Sequence, residues 1–513
     1  MYPLPQNKYD NNLYTMKSKL MYNTVTSLLL QVVTVICGFI TPRLFLSEYG
    51  SDVNGLVQSV TQFLGVISFL ELGVGQVIQS ALYKPLAKSD SNSVDCVLAS
   101  GGKFFRRIAY ILLAYIAVLV CVYPYLSGNN FDWMYSATLI IAIGIGSFAQ
   151  YYFGIIDRIL LNADQRGYIQ YTAQIITLIL NTIACVILIN MGASVQLVKL
   201  VSSALFLLRP FVLRLYINKR YSINRRVKYT EEPIKQKWNG IAQHVSAFIL
   251  NGTDNIVLTL FSTLSNVSIY SVYHLVVYGV HQVFQSATAG LHSMVGNLWA
   301  KQEIKKLNHV YGIIETVLHL STVFLFTCTG VLLTPFIRVY TNGVSDANYI
   351  QPLFAVLIVI AHAMQCIKTT YNILILSAGH YKQVQSCHII TAAINLVSSI
   401  ILVQFWGLVG VAVGTLLSMT YQAVWMAWYN SRNILKWPFK NFIKQIVVDI
   451  IASVVIYFST SWIQLGSISY FSLFLLALQV LVIAALITVA IAFLFYRKRL
   501  LSILKKKIIF DYT

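Results

Sequence analysis

The chain has 513 residues, 57% of them hydrophobic and only 11% charged, with a mean hydropathy of +0.69. A soluble domain carries about 25% charged residues, so composition excludes an ordinary soluble globular protein. The formal charge of +20 would suggest nucleic acid in a soluble protein, but here Lys and Arg sit in short stretches between long apolar runs, which argues against nucleic acid and makes most of them orientation signals beside anionic headgroups.

In chain order, the polar start "MYPLPQNKYDNNLYTMKSKL" has no apolar core region and no small-residue cleavage site, so no removed signal peptide is expected. Fourteen apolar runs follow, each a candidate membrane-spanning helix: 20–41, 53–82, 105–126, 133–156, 168–191, 195–217, 238–261, 267–298, 308–335, 352–377, 383–405, 407–429, 444–464 and 470–496. The second and eighth are long enough to tilt or bend, and their glycines (Gly65, Gly73 and Gly75; Gly279, Gly290 and Gly296) permit it. With a cytoplasmic N-terminus, 32 of the 37 Lys and Arg fall on the cytoplasmic side. Only Arg43 and Arg338 fall outside, and Lys199, Arg209 and Lys368 lie within spans. A miscounted span would mix the two sets, so both termini are expected inside.

The longest cytoplasmic loop, "NKRYSINRRVKYTEEPIKQK" (218–237), falls between the sixth and seventh spans. Weak matches recur across it at a steady offset of 213 to 216: "LNADQRGYIQ" (161–170) with "LSAGHYKQVQ" (376–385), Met191-Gly192 with Trp406-Gly407, and Asn181 with Asn395. The expected fold is therefore an all-α polytopic membrane protein of about 14 transmembrane helices, arranged as two parallel six-helix halves plus two C-terminal helices. Its parts would be 1–217, a basic cytoplasmic linker 218–237, a second half 238–429, and the helix pair with a basic tail, 430–513.

Polar residues inside spans mark candidate function, because an ionised side chain at the bilayer centre costs roughly 2.5–3.5 kcal/mol on insertion scales. The seventh span holds His244, Asn251, Asp254 and Asn255. The eighth carries Tyr270, His274, Tyr278, His281 and Gln285 on one helical face. Ser27, Gln31 and Thr34 in the first span, and Asn54, Gln58 and Gln62 in the second, form comparable stripes. Such faces would line a wet cavity between the halves; the alternative is interhelical hydrogen bonding that holds the bundle together. Lys368 lies about 15 Å from the inner end of its span, too deep to snorkel fully. With Arg43 and Arg209 it would offer a positive field to an anionic cargo. Glu71, Glu315 and Asp449, near or within spans, are candidate partners for a cation or structural carboxyls. All nine His follow residue 243, an asymmetry compatible with proton coupling.

Other searches are empty. The seven Cys show no CxxC spacing and read as reduced packing residues. No Walker A, GxGxxG or HExxH sequence is present, so neither a cofactor nor a metal is expected. Gly410 and Gly414 form a GxxxG pair that marks close helix packing. The longest outer loop, 336–351, carries only Arg338 and Asp346 as charges, which speaks against a membrane-bound polysaccharide polymerase or ligase.

Three stretches carry a resemblance. "TPRLFLSEYGSDVNGLVQSVTQFLGVISFLELGVGQVIQSALYKPLAK" (41–88) resembles the opening of polysaccharide flippases of the multidrug/oligosaccharidyl-lipid/polysaccharide exporter superfamily, with an Arg after the first helix, a "YG" turn, "LELG" and a "KPLAK"-like loop. "TDNIVLTLFSTLSNVSIYSVYHLV" (253–276) resembles the start of the family's second half, and "GLVGVAVGTLLS" (407–418) its twelfth helix. The resemblance implies a non-enzymatic flippase of the bacterial inner membrane. It would move an undecaprenyl-diphosphate-linked oligosaccharide for capsule, O-antigen or exopolysaccharide by alternating access, with membrane lipids and a possible coupling ion (H+ or Na+) as further partners. Outward movement of negative charge across an inside-negative membrane releases about 2.3 kcal/mol per charge per 100 mV, so no ATP site is required. The rivals are a cation-coupled drug exporter of the same fold and a facilitator-type sugar porter, whose glycine-and-basic loop is missing between the second and third spans.

Overall fold

The computed structural model describes residues 13–68, 74–126, 131–225, 227, 229, 232–234, 241–288, 290–435 and 437–505, and describes backbone alone at 13–18, 20, 241–248, 251, 293, 498 and 500–505. Glu71 and Gly73 lie outside the described residues, as do the side chains of His244 and Asn251. The described residues form α-helices with short turns and no strand. In order they are α1 (Leu13–Gly65), α2 (Val74–Ala87), α3 (Ser91–Leu126), α4 (Trp133–Ala149), α5 (Ile155–Ala163), α6 (Gly167–Asn190), α7 (Val195–Arg220), α8 (Ile241–Phe261), α9 (Leu264–Thr288), α10 (Leu291–Ala300), α11 (Ile304–Tyr340), α12 (Pro352–Ser377), α13 (Gln385–Tyr429), α14 (Lys440–Thr460) and α15 (Tyr470–Lys505). Ten helical stretches among the described residues are long and apolar enough to cross a membrane. The exposed surface of these helices is itself apolar, as at Leu478, Val482, Leu486 and Val489 on α15, which suits lipid rather than water. The chain is a polytopic membrane protein.

Two of the ten stretches break at a glycine. α1 is interrupted at Gly50 (φ 80°) and α13 at Gly407 (φ 50°, ψ −124°). Each break separates two of the apolar runs read from the sequence. The helical path runs on through Pro42 to Tyr49, so the turn between the first two runs is shorter than the sequence suggested. The second and eighth runs are each interrupted: a turn at 66–67 follows the end of α1 at Gly65, and α9 ends at Thr288 with α10 starting at Leu291. A π-helical turn, Gln150–Gly154, joins α4 to α5. Helix ends follow local chemistry. Ser194 caps α7 by accepting from Leu197 N–H at 3.4 Å, and Pro352 opens α12 where its missing N–H costs nothing.

The chain divides into two compact units, residues 1–248 and 249–513. In the first, α6 packs on α1 and α7, and α4 on α3 and α7. The segment after α7 folds back onto this unit. Arg225 pairs with buried Asp157 at 2.7 Å, Glu232 accepts from Ser100, and Tyr221 donates to Asp164. Burial, reinforced by the Asp164 carboxylate, holds the Tyr221 phenol above its ordinary pKa. In the second unit, α12 packs on α9, α11 and α13, while α14 and α15 sit on α11. An apolar cluster seats that helix pair: Leu320, Val323 and Cys328 of α11 meet Val448, Ala452 and Ile456 of α14 and Leu476, Val480 and Ala484 of α15.

The two legs of α13 approach each other as closely as a backbone allows. A Cβ at Gly410 would lie 2.2 Å from the Leu402 carbonyl oxygen, and one at Gly414 would lie 2.4 Å from Ser399 Oγ. The GxxxG pair therefore acts as the packing signal expected of it.

Candidate functional site

In the first unit, α1, α4, α6 and α7 and the π turn enclose a cavity of about 420 Å³. Its walls carry Gln150 on the π turn, Gln170, Gln174 and Asn181 on α6, and Lys199, Ser202 and Arg209 on α7. Lys199 Nζ stands 4.4 Å above the Phe45 ring, and the Arg209 guanidinium stands 4.3 Å above Phe206. Arg209 Nε donates to Thr177 Oγ1 at 2.5 Å, while its Nη2 is buried with no hydrogen-bond partner. No Asp or Glu is among the described residues that line the cavity. Half-buried cations with no carboxylate among the described lining residues favour an anion as the third party. Both lie within spans on the sequence and face this cavity in the structure. Thr41 and Thr61 of α1 line it too, whereas Arg43, Gln58 and Gln62 are not among its walls. Those three side chains are half-buried on α1, Arg43 directly after Pro42.

In the second unit Asp254 is buried on α8. Its Oδ2 accepts from the Tyr270 hydroxyl of α9 at 2.7 Å and from Thr415 Oγ1 of α13 at 2.8 Å. Asn395, on the other leg of α13, donates to Thr415 Oγ1 at 3.3 Å, and its Oδ1 lies 3.3 Å from Thr253 Oγ1. Asp254 Oδ1 has no hydrogen-bond partner among the described residues. A buried carboxylate with one saturated and one open oxygen is built to take a proton or a small cation. Asn255, its half-buried neighbour, has an Oδ1 that is likewise buried without a partner.

The α9 stripe is a ladder of stacked rings. His274 stacks on Tyr270 (5.5 Å between ring centres, 17°) and on Tyr278 (5.2 Å, 18°), and meets His362 of α12 edge-on at 5.5 Å. His281, buried, also approaches His362 edge-on at 6.3 Å. Gln285 lies 3.2 Å from His281 Nε2 and donates to Thr369 at 3.1 Å. Lys368 is half-buried within electrostatic reach of His281 and His388, and makes no hydrogen bond or ion pair among the described residues. The structure thus groups His274 and His281 with Lys368 through α9 and α12, and places Asp254 at the foot of the same ladder through Tyr270.

Several participants were missed from the sequence. His362, Gln365 and Thr369 recur at three- and four-residue spacing on α12, and Gln170, Gln174 and Asn181 recur on α6, so both faces carried a readable signal. Thr415 carried none, since its role depends on the fold-back of α13.

No protein-family model matches the chain, and a search of curated proteins gives no match. Solved structures do match. A lipid II flippase, MurJ, in an inward-closed conformation superposes with a TM-score of 0.71 at 15% identity, over 93% of this chain and 99% of that one. At 15% identity this likeness shows a shared fold. An inward-facing multidrug-resistance transporter of the MATE family of the MOP superfamily gives 0.61 at 15% identity over 78% of this chain and 94% of that one. A further MATE structure in a bent conformation gives 0.53 at 13% identity, over 81% and 95%.

Proposed function

We propose that the protein is a flippase that carries an undecaprenyl-diphosphate-linked glycan unit from the inner to the outer leaflet of a bacterial inner membrane, by alternating access. The observation that carries this reading is the acid-free basic cavity of the first unit, walled by amides and hydroxyls as well as Lys199 and Arg209. Side-chain amides suit sugar hydroxyls, and the cations suit the diphosphate or an acidic sugar. In this proposal Arg43, Gln58 and Gln62 add polar surface in the first unit, and Lys368 adds a cation in the second. His274, His281 and Asn255 offer further polar contacts within the second unit, and Asp254 takes the coupling ion, H+ or Na+. The lipid tail stays in the bilayer against α14 and α15. The likeness in fold to a protein described as a lipid II flippase supports the same reading. No catalytic step, cofactor or nucleic acid enters it.

Deleting the gene in its native host and analysing the lipid-linked intermediates tests the proposal. A diphosphate-linked oligosaccharide that accumulates on the inner leaflet supports it and identifies the cargo. Normal surface polysaccharide without such accumulation rejects it. The second reading, a cation-coupled drug exporter, is favoured by the MATE likeness and by the buried carboxylate of Asp254. Efflux of cationic dyes from cells expressing the protein, lost in Asp254→Asn, would select that reading.

A further inference from the structure

A second buried polar cluster in the 249–513 unit lies apart from the ladder and from Asp254. Four helices build it: Glu315 and His319 on α11, Tyr371 on α12, Gln445 and Asp449 on α14, and Tyr496 and Arg499 on α15. Glu315, His319 and Asp449 are all buried. His319 Nδ1 lies 2.6 Å from Asp449 Oδ2, and its Nε2 lies 3.0 Å from the Tyr371 hydroxyl. That hydroxyl also lies 3.0 Å from Glu315 Oε1. Glu315 Oε2 faces Gln445 Nε2 at 3.4 Å and Arg499 Nη1 at 3.8 Å. The Tyr496 hydroxyl donates to Gln445 Oε1 at 2.6 Å, and Arg499 donates to Thr316 Oγ1 and the Gly312 carbonyl.

Counting hydrogens along the chain Asp449–His319–Tyr371–Glu315 constrains its protonation. Its three contacts each need one hydrogen. The tyrosine hydroxyl brings one and a neutral imidazole brings one, so two ionised carboxylates leave the chain one hydrogen short. Three placements of the missing proton satisfy it. An imidazolium donates to both Asp449 and Tyr371. A protonated Asp449 donates to a neutral ring. A protonated Glu315 donates to Tyr371, whose own hydrogen then turns to His319. Charge leads to the same number. Among the described residues, two carboxylates against the single guanidinium of Arg499 leave one negative charge in a buried site, and one added proton neutralises it.

We propose that the Glu315–Tyr371–His319–Asp449 chain is a binding site for one exchangeable proton, which latches the α14–α15 pair onto α11 and α12. With the proton gone, one of the three contacts becomes two lone pairs facing each other at 2.6 to 3.0 Å, across a joint between helices. The Arg499 side chain, 37% exposed at the margin of the cluster, gives the proton a way in and out. The site stands independently of what the protein carries.

The test is the melting of purified full-length protein in lipid nanodiscs from mildly acidic to strongly alkaline pH. The proton stabilises the fold while it is bound and stops doing so as pH rises past its release. The expected result is a wild-type Tm that falls with rising pH, together with a flatter profile in Asp449→Asn and Glu315→Gln. Each substitution removes one negative charge and one hydrogen-bond deficit. A purely structural role predicts variants whose Tm is lower by the same amount at every pH, and that result overturns the proposal, as does a flat wild-type profile. If neither variant accumulates, nitrogen and carbon NMR of the wild-type imidazole and carboxyl groups decides. A proton on His319, Asp449 or Glu315 at neutral pH that is lost in alkali supports the site. A neutral ring between two ionised carboxylates at neutral pH rejects it.

Discussion

The two compact units solve the burial of charge in opposite ways. The first leaves Lys199 and Arg209 facing a cavity without a carboxylate, while its buried acid Asp157 is held elsewhere by Arg214 at 2.8 Å and Arg225 at 2.7 Å. The second turns its buried acids inward on hydroxyls and rings: Asp254 on Tyr270 and Thr415, Asp449 on His319, Glu315 on Tyr371. A cavity lined by cations, with no carboxylate among its described lining residues, is arranged for an anion that comes and goes. A carboxylate already bonded to neutral hydroxyls is arranged for a proton or small cation. The difference suggests a division of labour, with cargo chemistry in the first unit and ion chemistry in the second.

The largest effect expected comes from removing the geometry that makes the second unit's node possible. In Gly410→Val the new Cβ meets the Leu402 carbonyl at 2.2 Å, and neither backbone leg of α13 can yield without moving Thr415 off Asp254. Overpacking against side chains costs about 1–3 kcal/mol, and a backbone clash costs more, so membrane-inserted protein should fall below detection on a blot. Normal accumulation would mean that the fold-back of α13 is looser than described. Asp254→Asn comes next. It keeps an acceptor for Tyr270 and Thr415 but loses the charge, so abundance should hold while export falls by roughly ten- to a hundredfold, the range of typical coupling free energies. Export is read as build-up of lipid-linked oligosaccharide, and wild-type export from this variant would remove ion chemistry from the second unit.

Two cation substitutions probe the other side of the comparison. The double change Lys199→Gln and Arg209→Gln should weaken the apparent affinity for the anionic cargo by about tenfold or more, since a hydrogen bond to a charged group contributes roughly 1.5–3 kcal/mol. An unchanged affinity would reduce the cavity to a packing defect. Lys368→Ala, which removes a cation with no hydrogen bond or ion pair among the described residues, should cost less, roughly a few-fold to tenfold by the same reasoning. If Lys368→Ala proves the more damaging of the two, the cargo's charge is read in the second unit and the proposed division reverses.

Much of the fold was legible because membrane helices announce themselves by length and apolarity. Each of the fourteen apolar runs is helical over most of its described length, and two breaks between runs fall at glycines of positive φ, Gly50 and Gly407. The site was legible only as faces. The α9 stripe emerges as a continuous ladder because its residues share one helix and a 3.6-residue period fixes their neighbours. What no period records is which helix lies opposite. The pairing of Asp254 with Thr415 spans 161 positions, and that of His319 with Asp449 spans 130. The basic loop 218–237 teaches the same lesson. Composition marks it as a cytoplasmic linker, yet Arg225 reaches back to an aspartate that lies within the first unit.

That last contact gives the smallest and most discriminating prediction. Asp157 is almost fully buried and holds two guanidinium partners, so Arg225→Ala leaves it paired with Arg214 rather than abandoned. The expected loss is about 1 kcal/mol or less, the range for an ion pair with a partly exposed partner, which corresponds to a fall in Tm of roughly 2–4 °C at most. Cargo affinity should not move, because Arg225 is not among the residues lining the cavity. A variant that melts like wild type but binds cargo more weakly would place the linker's cations on the transport path. The acid-free cavity would then be one station of a longer basic track running through the first unit.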